Sequence, residues 1–219
     1  IQQFNGEIIQ EWNGLAEKVT LPVSVKSRFW FNPTMEYSSL MVPGILALLI
    51  TMIGMFLSSM NIVREKEIGT IEQINVTPIK KVYFLIGKLF PFWVIALFEL
   101  AFGLLVGKIV FDIPILGSIA LLYSFSAIYL IVVLGIGLWI STFAETQQQA
   151  MFLSWFLIVI FILMSGLFTP IENMPDWAQK FTYLNPASYV IKVIRAILLK
   201  GSSFKDLKME FAIISVYAV

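Results

Sequence analysis

The side chains able to do chemistry in this chain are few, and the one long polar stretch between two apolar segments in its middle is "REKEIGTIEQINVTPIKK" at 64–81. Arg64, Lys66, Lys80 and Lys81 stand there beside Glu65, Glu67 and Glu72, and one further acid, Glu99, sits alone inside a long apolar run. The chain has no histidine and no cysteine. A histidine general base, a Ser–His–Asp triad, thiolate or imidazole metal ligation and a disulfide framework are therefore excluded, and no metal site is expected. A phosphate-binding loop needs Gly-x-x-x-x-Gly-Lys. The Gly-Lys pairs are Gly87-Lys88 and Gly107-Lys108, and five residues before them stand Val82 and Phe102. A net charge of +1 gives no nucleic-acid footprint. What the alternating signs of 64–72 can do is pair, locally or with a partner protein, because such pairs set register and specificity.

The elements that must hold these residues are membrane spans. The chain is 58% hydrophobic and 13% charged, against roughly 25% charged in soluble domains. The expected fold is an all-α polytopic membrane protein. Uncharged or nearly uncharged runs at 41–63, 82–107, 115–141 and 150–168 are each of a length to approach the ~30 Å hydrocarbon core. Pro91 predicts a kink in the second. The run 207–219 reads as the start of a last span, and the chain, opening at Ile1 and stopping at Val219 inside that run, reads as a fragment. Residues 1–40 are mixed; Val23, Val25, Phe29 and Phe31 alternate with Lys26, Arg28 and Trp30, which predicts a strand ended by Asn32-Pro33. This is the expected tail of an extracytoplasmic domain, followed by a transmembrane domain over 41–219.

Between the spans lie short connections. "FDIP" at 111–114 is a turn and "AETQQQ" at 144–149 a polar loop. Over 172–200 two short helices are expected. Asn185-Pro186 supplies N-cap and first position of the second, and Gly201 its stop. In that helix Val190, Ile191, Ile194, Ile197 and Leu198 form an apolar stripe opposite Ser188, Lys192 and Arg195, so it lies in an interface or packs on a neighbour. Trp177, Tyr183 and Tyr189 suit the headgroup level.

Within 64–78, Ile68, Ile71 and Ile74 recur every third residue and Thr77-Pro78 ends the pattern. This predicts a short amphipathic helix along the membrane surface, its apolar face on the bundle and its charged face toward water or a protein. The loop 64–88 carries Arg64, Lys66, Lys80, Lys81 and Lys88, which marks it as cytoplasmic. Alternation then puts 169–206 outside, although it carries Lys180, Lys192, Arg195, Lys200 and Lys205. Glu99 shares a face with Gly103 and Gly107. It is either a hydrogen-bonding residue in a close helix contact or a proton or cation site.

The segment Arg64–Pro78 resembles the coupling-helix segment of type-2 ATP-binding-cassette (ABC) transporter permeases, matching each fixed position of the pattern Arg-Glu-Arg/Lys-Glu-x-Gly-Thr-Leu/Ile-Glu-Gln-Leu/Ile-x-x-Thr/Ser-Pro. The stretch 141–201, with its Gln-rich loop, Ser-Gly at the end of a span and Pro-x-x-x-Met-Pro, is similar to the same family, as is "FDIPILGS" at 111–118. The resemblance covers roughly residues 30–210.

It implies a permease subunit of an ABC exporter, in the subgroup with a large external domain, multi-pass in a bacterial inner membrane, and non-catalytic. Arg64, Glu65, Lys66, Glu67, Gly69, Thr70, Glu72 and Gln73 would form a coupling helix seated on a cytoplasmic ABC ATPase subunit. That partner would hold the ATP and Mg; this chain would hold no cofactor. A second permease subunit, identical or different, would complete a dimer in the bilayer. The pathway would run mainly along 41–63 and 150–168, whose Met52, Met55, Phe56, Ser59, Phe156 and Met164 would offer adaptable apolar surface to a hydrophobic or amphiphilic solute. The rival readings are a proton-driven secondary transporter using Glu99 and an intramembrane enzyme; against the latter, no second acid, Ser/Lys dyad or ligand set converges in the spans. A Gln73→Cys label is expected to react with a membrane-impermeant maleimide only from the cytoplasmic side; labelling of intact cells from outside would overturn the orientation.

Overall fold

The computed structural model describes residues 37–71 and 80–218, and these are helices joined by short turns. The expected strand over 23–31 and the external tail 1–40 as far as residue 36 lie outside the described residues, as does 72–79. The helices are α1 (Tyr37–Ile68), α2 (Lys81–Phe111), α3 (Ile119–Phe143), α4 (Gln147–Leu163), a 3-10 turn (Ile171–Asn173), α5 (Asp176–Thr182), α6 (Pro186–Lys200) and α7 (Lys208–Tyr217). By length and composition α1, α2 and α3 can each cross a membrane, and α4 is a shorter apolar helix of 17 residues. At 1.5 Å per residue α4 is about 25 Å long and α1, with 32 residues, about 48 Å. α1 therefore extends beyond a ~30 Å hydrocarbon core. α2 continues as a helix through Pro91, and α1 does so through Pro43.

α1 is the hub. It packs on α2, α3, α4 and α6. In lipid no hydrophobic effect drives helices together, so close packing and hydrogen bonds must do it. Both are present. Gly137 of α3 lies against α1 so tightly that a Cβ there would stand 2.7 Å from the Ser58 Cβ and 2.9 Å from the Met55 carbonyl oxygen. Gly103 of α2 leaves space that the Leu46 side chain fills. Thr51 and the fully buried Tyr129 share a hydrogen bond of 2.6 Å between α1 and α3, Ser58 donates to the Leu134 carbonyl at 2.8 Å, and Ser59 and Ser154 bond at 2.8 Å between α1 and α4.

The helix ends follow the sequence signals. Ser118 caps α3 by accepting from the Leu121 N–H, and Thr146 caps α4 by accepting from the Gln149 N–H. Asn185 caps α6 by accepting from the Ala187 N–H, with Pro186 at the first position and Gly201 closing the helix at φ 66°. Asn185 also donates to the Phe161 carbonyl of α4 at 2.7 Å. α6 is set into the bundle: Val190, Ile191, Val193, Ile194, Ile197 and Leu198 are buried, while Lys192 is exposed and paired with Glu210 of α7 at 2.7 Å. The turn after α2 is tied to the end of α6, where the Leu116 N–H donates to the Leu198 carbonyl at 3.1 Å. That end of the molecule thus gathers 112–117 and 198–201.

Gly137→Leu is expected to destabilise the purified protein in detergent by about 1–3 kcal/mol, the usual cost of overpacking. Gly135→Leu, two residues away on the other side of α3 and with open space at its Cβ, should leave the unfolding midpoint nearly unchanged. Equal shifts for the two would remove the close α1–α3 approach from the account.

Candidate functional site

The charged stretch does not begin a separate helix. Arg64 to Ile68 are the last turn of α1, which leaves the apolar run at Val63 and continues. The correction has a local cause: Arg, Glu and Lys are good helix formers, and no Gly or Pro lies between the span and the charges. The break comes at Gly69, which adopts φ 78° and donates its N–H to the Lys66 carbonyl at 3.1 Å. This is the left-handed residue that ends helices. Thr70 and Ile71 begin another helical turn. Glu72, Gln73 and the rest of the expected amphipathic helix as far as Pro78 lie outside the described residues.

At this end each charged side chain from Glu65 to Glu67 reaches a different helix. Glu65 accepts from Lys88 of α2 at 2.5 Å and from the Thr70 hydroxyl. Lys66 donates to the Ser141 and Ala144 carbonyls at the C-terminus of α3. Glu67 accepts from the Gln147 backbone N–H at 3.0 Å and from the Gln147 side-chain amide at 2.6 Å, at the N-terminus of α4. A helix C-terminus carries open carbonyls and partial negative charge, and an N-terminus open N–H groups and partial positive charge. Lys66 and Glu67 thus meet the ends of α3 and α4 with the matching sign. Beneath them Val63, Ala144 and Ala150 form a small buried apolar cluster of their own. Arg64 and Ile68 face outward.

Sequence reasoning missed Gln147 and the carbonyls of Ser141 and Ala144 as partners, because nothing in the spacing of 64–67 points 80 residues ahead. The signal available was the helix boundary: a polar 144–149 between two apolar runs must expose the last carbonyls of one helix and the first N–H groups of the next.

The six residues expected along a pathway do not share one surface. Met55 and Ser59 are fully buried, Ser59 on Ser154, and Met52, Phe56 and Met164 are half-buried. Phe156 is exposed on α4, beside exposed Trp155 and Phe152. A cavity of about 780 Å³ lies elsewhere, lined by Ile86, Phe90 and Trp93 of α2, Ile131, Leu134 and Trp139 of α3, Phe161, Leu184 and Tyr217. Glu99 is half-buried; its Oε2 is shielded from solvent and makes no hydrogen bond among the described residues, so a bond from that oxygen across the α1–α2 contact is not formed. No group of metal-ligating side chains is found among the described residues.

Long apolar helices, interior hydroxyl bonds and a charged knot at one end define a polytopic membrane protein that carries no catalytic constellation among the described residues. Residues 1–219 match the family described as ABC-2 family transporter protein, and the chain belongs to that family, as a permease domain. It is 36% identical over 176 residues to the Probable multidrug ABC transporter permease YbhR of Escherichia coli (strain K12), covering 80% of this chain and 48% of that protein. To the Probable multidrug ABC transporter permease YbhS of the same strain it is 31% identical over 183 residues, 82% of this chain and 48% of the relative. To the Inner membrane transport permease YhhJ, again of that strain, it is 29% identical over 192 residues, 86% and 51%. The chain spans about half the length of these relatives. No solved structure matches it.

The Glu65–Lys88 pair is partly shielded, with side-chain exposures of 17% and 32%. A double-mutant cycle of Glu65→Ala and Lys88→Ala is expected to give a stability coupling of about 0.5 kcal/mol that shrinks in high salt. A coupling of zero at low salt would show the pair to be incidental.

Proposed function

We propose that this chain is the membrane-spanning part of an ATP-driven ABC exporter subunit that moves a hydrophobic or amphiphilic solute outward across a bacterial inner membrane. ATP and Mg would be held by a separate cytoplasmic ABC ATPase, and a second permease subunit would complete the transporter. The observation that carries this reading is the end of α1: a charged turn that continues a span, is joined by side chains to α2, α3 and α4, and leads into the segment 70–78. A push on that segment from a partner would reach the spans without a flexible joint before Gly69. Three further observations support it. The chain lacks any phosphate-binding loop of its own. Curated relatives carry the name multidrug ABC transporter permease. The cavity of about 780 Å³ is lined mostly by apolar side chains, as a greasy cargo requires.

The Oε2 of Glu99, shielded and without a hydrogen-bond partner among the described residues, supports a second reading, a proton-driven carrier. ATP depletion separates the two. Export from vesicles holding the full-length protein and its ATPase is expected to stop without ATP and to continue with Glu99→Gln. Export that persists without ATP and is abolished by Glu99→Gln would establish the carrier instead.

A further inference from the structure

The four charged residues at the end of α1 are chemically alike enough to be read as one surface facing a partner, but the geometry divides them. Lys66 and Glu67 are already engaged within the chain, and with opposite ends of two different helices. Lys66 donates to the carbonyls of Ser141 and Ala144 that α3 leaves open. Glu67 accepts the backbone and side-chain N–H groups of Gln147, the first residue of α4. The turn between them, Ala144–Thr146, does not need this help to fold. Thr146 caps α4 on its own through the Gln149 N–H at 3.2 Å, and the Gln149 side chain accepts from the Glu145 N–H at 3.0 Å. Two charged side chains spent on a turn that is already capped serve to attach it to something. The attachment point is α1, and the apolar contact of Val63 with Ala144 and Ala150 lies directly beneath.

We propose that Lys66 and Glu67 are positioning residues: a latch that fastens the α3–α4 turn to the cytoplasmic end of α1, so that α1, α3 and α4 move as one body when the segment after Gly69 is displaced. Their task is transmission inside this subunit rather than contact with the ATPase. Lys66 and Glu67 are exposed, as Arg64 is, but both are engaged within the chain, so docking falls to Arg64 and to residues beyond Gly69. This rests on the reading of the chain as part of an ATP-driven exporter. The order of the two charges is essential to it. With lysine and glutamate exchanged, each would face a helix end of its own sign, while the net charge and composition of the segment stay the same.

The test uses the full-length permease with its ATPase in proteoliposomes. In the exchanged variant, Lys66→Glu with Glu67→Lys, co-purification of the ATPase should remain at the unmodified level while ATP-driven export falls about tenfold, within the range of coupling between sites. Loss of co-purification in step with export would show that these charges meet the ATPase and would overturn the latch, as would ATP-driven export undiminished by the exchange. Should the exchanged variant fail to reach the membrane, a second pair decides. This chain has no cysteine, so Glu67→Cys with Gln147→Cys places the two thiols uniquely within it. Export by that pair should be low and should recover when a short bis-maleimide bridges them. No bridging, or bridging without recovery, would overturn the proposal. Export by the unmodified protein that survives ATP depletion would remove the exporter reading itself, a result distinct from each of these.

Discussion

The end of a helix is where this structure is decided. Inside the bilayer each helix satisfies its own backbone. At its ends four carbonyls and four N–H groups have no partner within the helix. Where α3 stops and α4 starts, both kinds of open group lie within a few residues of each other. The chain meets them with side chains from a third helix, a cation on the carbonyls and an anion on the N–H groups. The pairing fixes which part of α1 lies beside that turn. Because α1 is an unbroken rod from Tyr37 to Ile68, it fixes the register of the rest of α1 as well.

That register is visible along the rod. The hydroxyls of Thr51, Ser58 and Ser59 each find a partner on α3 or α4, and the backbone approach at Gly137 would be blocked by a Cβ. Each such bond is worth only about 0.6 kcal/mol in a membrane protein. Their value lies in agreement, since a slip of one residue along α1 would turn these hydroxyls away from their partners. α2 is held differently, by the Leu46–Gly103 contact, by Trp93 donating to the Ala127 carbonyl at 3.0 Å and by Lys88 on Glu65. The bundle is thus organised around one helix rather than around a shared central layer.

Much of this was legible in the residues. The three helices of membrane length, the caps at Asn185 and Gly201 and the buried stripe of α6 follow from hydrophobic length, from the N-cap and proline pairing, and from period 3.6, whereas the apolar run 150–168 is helical only as far as Leu163. The same rules failed where two signals overlapped. A charged run after an apolar one was read as a new helix because charge marks the membrane edge; yet charge does not break a helix, and Gly69 does. The expected pathway residues are spread between buried, half-buried and exposed positions. Met52, Met55 and Phe56, spaced i, i+3 and i+4, share one face of α1, with Met55 buried and the other two half-buried, and sequence alone does not say how deep that face lies when the whole helix is apolar. Tertiary pairs such as Glu67 with Gln147 were beyond reach, since two polar residues 80 apart carry no mark of each other.

The distribution of positive charge can now be weighed side chain by side chain. The positive-inside rule counts basic residues in short loops, and a raw count sets the cluster at 64–88 against a comparable number between 180 and 208. Several of the latter have structural employment: Lys192 pairs with Glu210, Arg195 donates to the Leu40 carbonyl, and Lys180 and Lys200 sit in the last turns of α5 and α6, where a cation suits the helix dipole. Lys66 and Lys88 at the other end are employed in the same way. Setting both groups aside leaves Arg64, Lys80 and Lys81, all exposed, against Lys205 and Lys208. The balance still favours a cytoplasmic end at 64–88, but narrowly. What the geometry supports is the alternation of ends, not their side: the ion pair, the Lys66 bonds and the Glu67 bonds bring 65–67, 88 and 141–147 to one end, and the Leu116–Leu198 bond joins the turn after α2 to the end of α6. Whichever side the first of these ends faces, 144–147 must face it too, and that is the alternation the spans require.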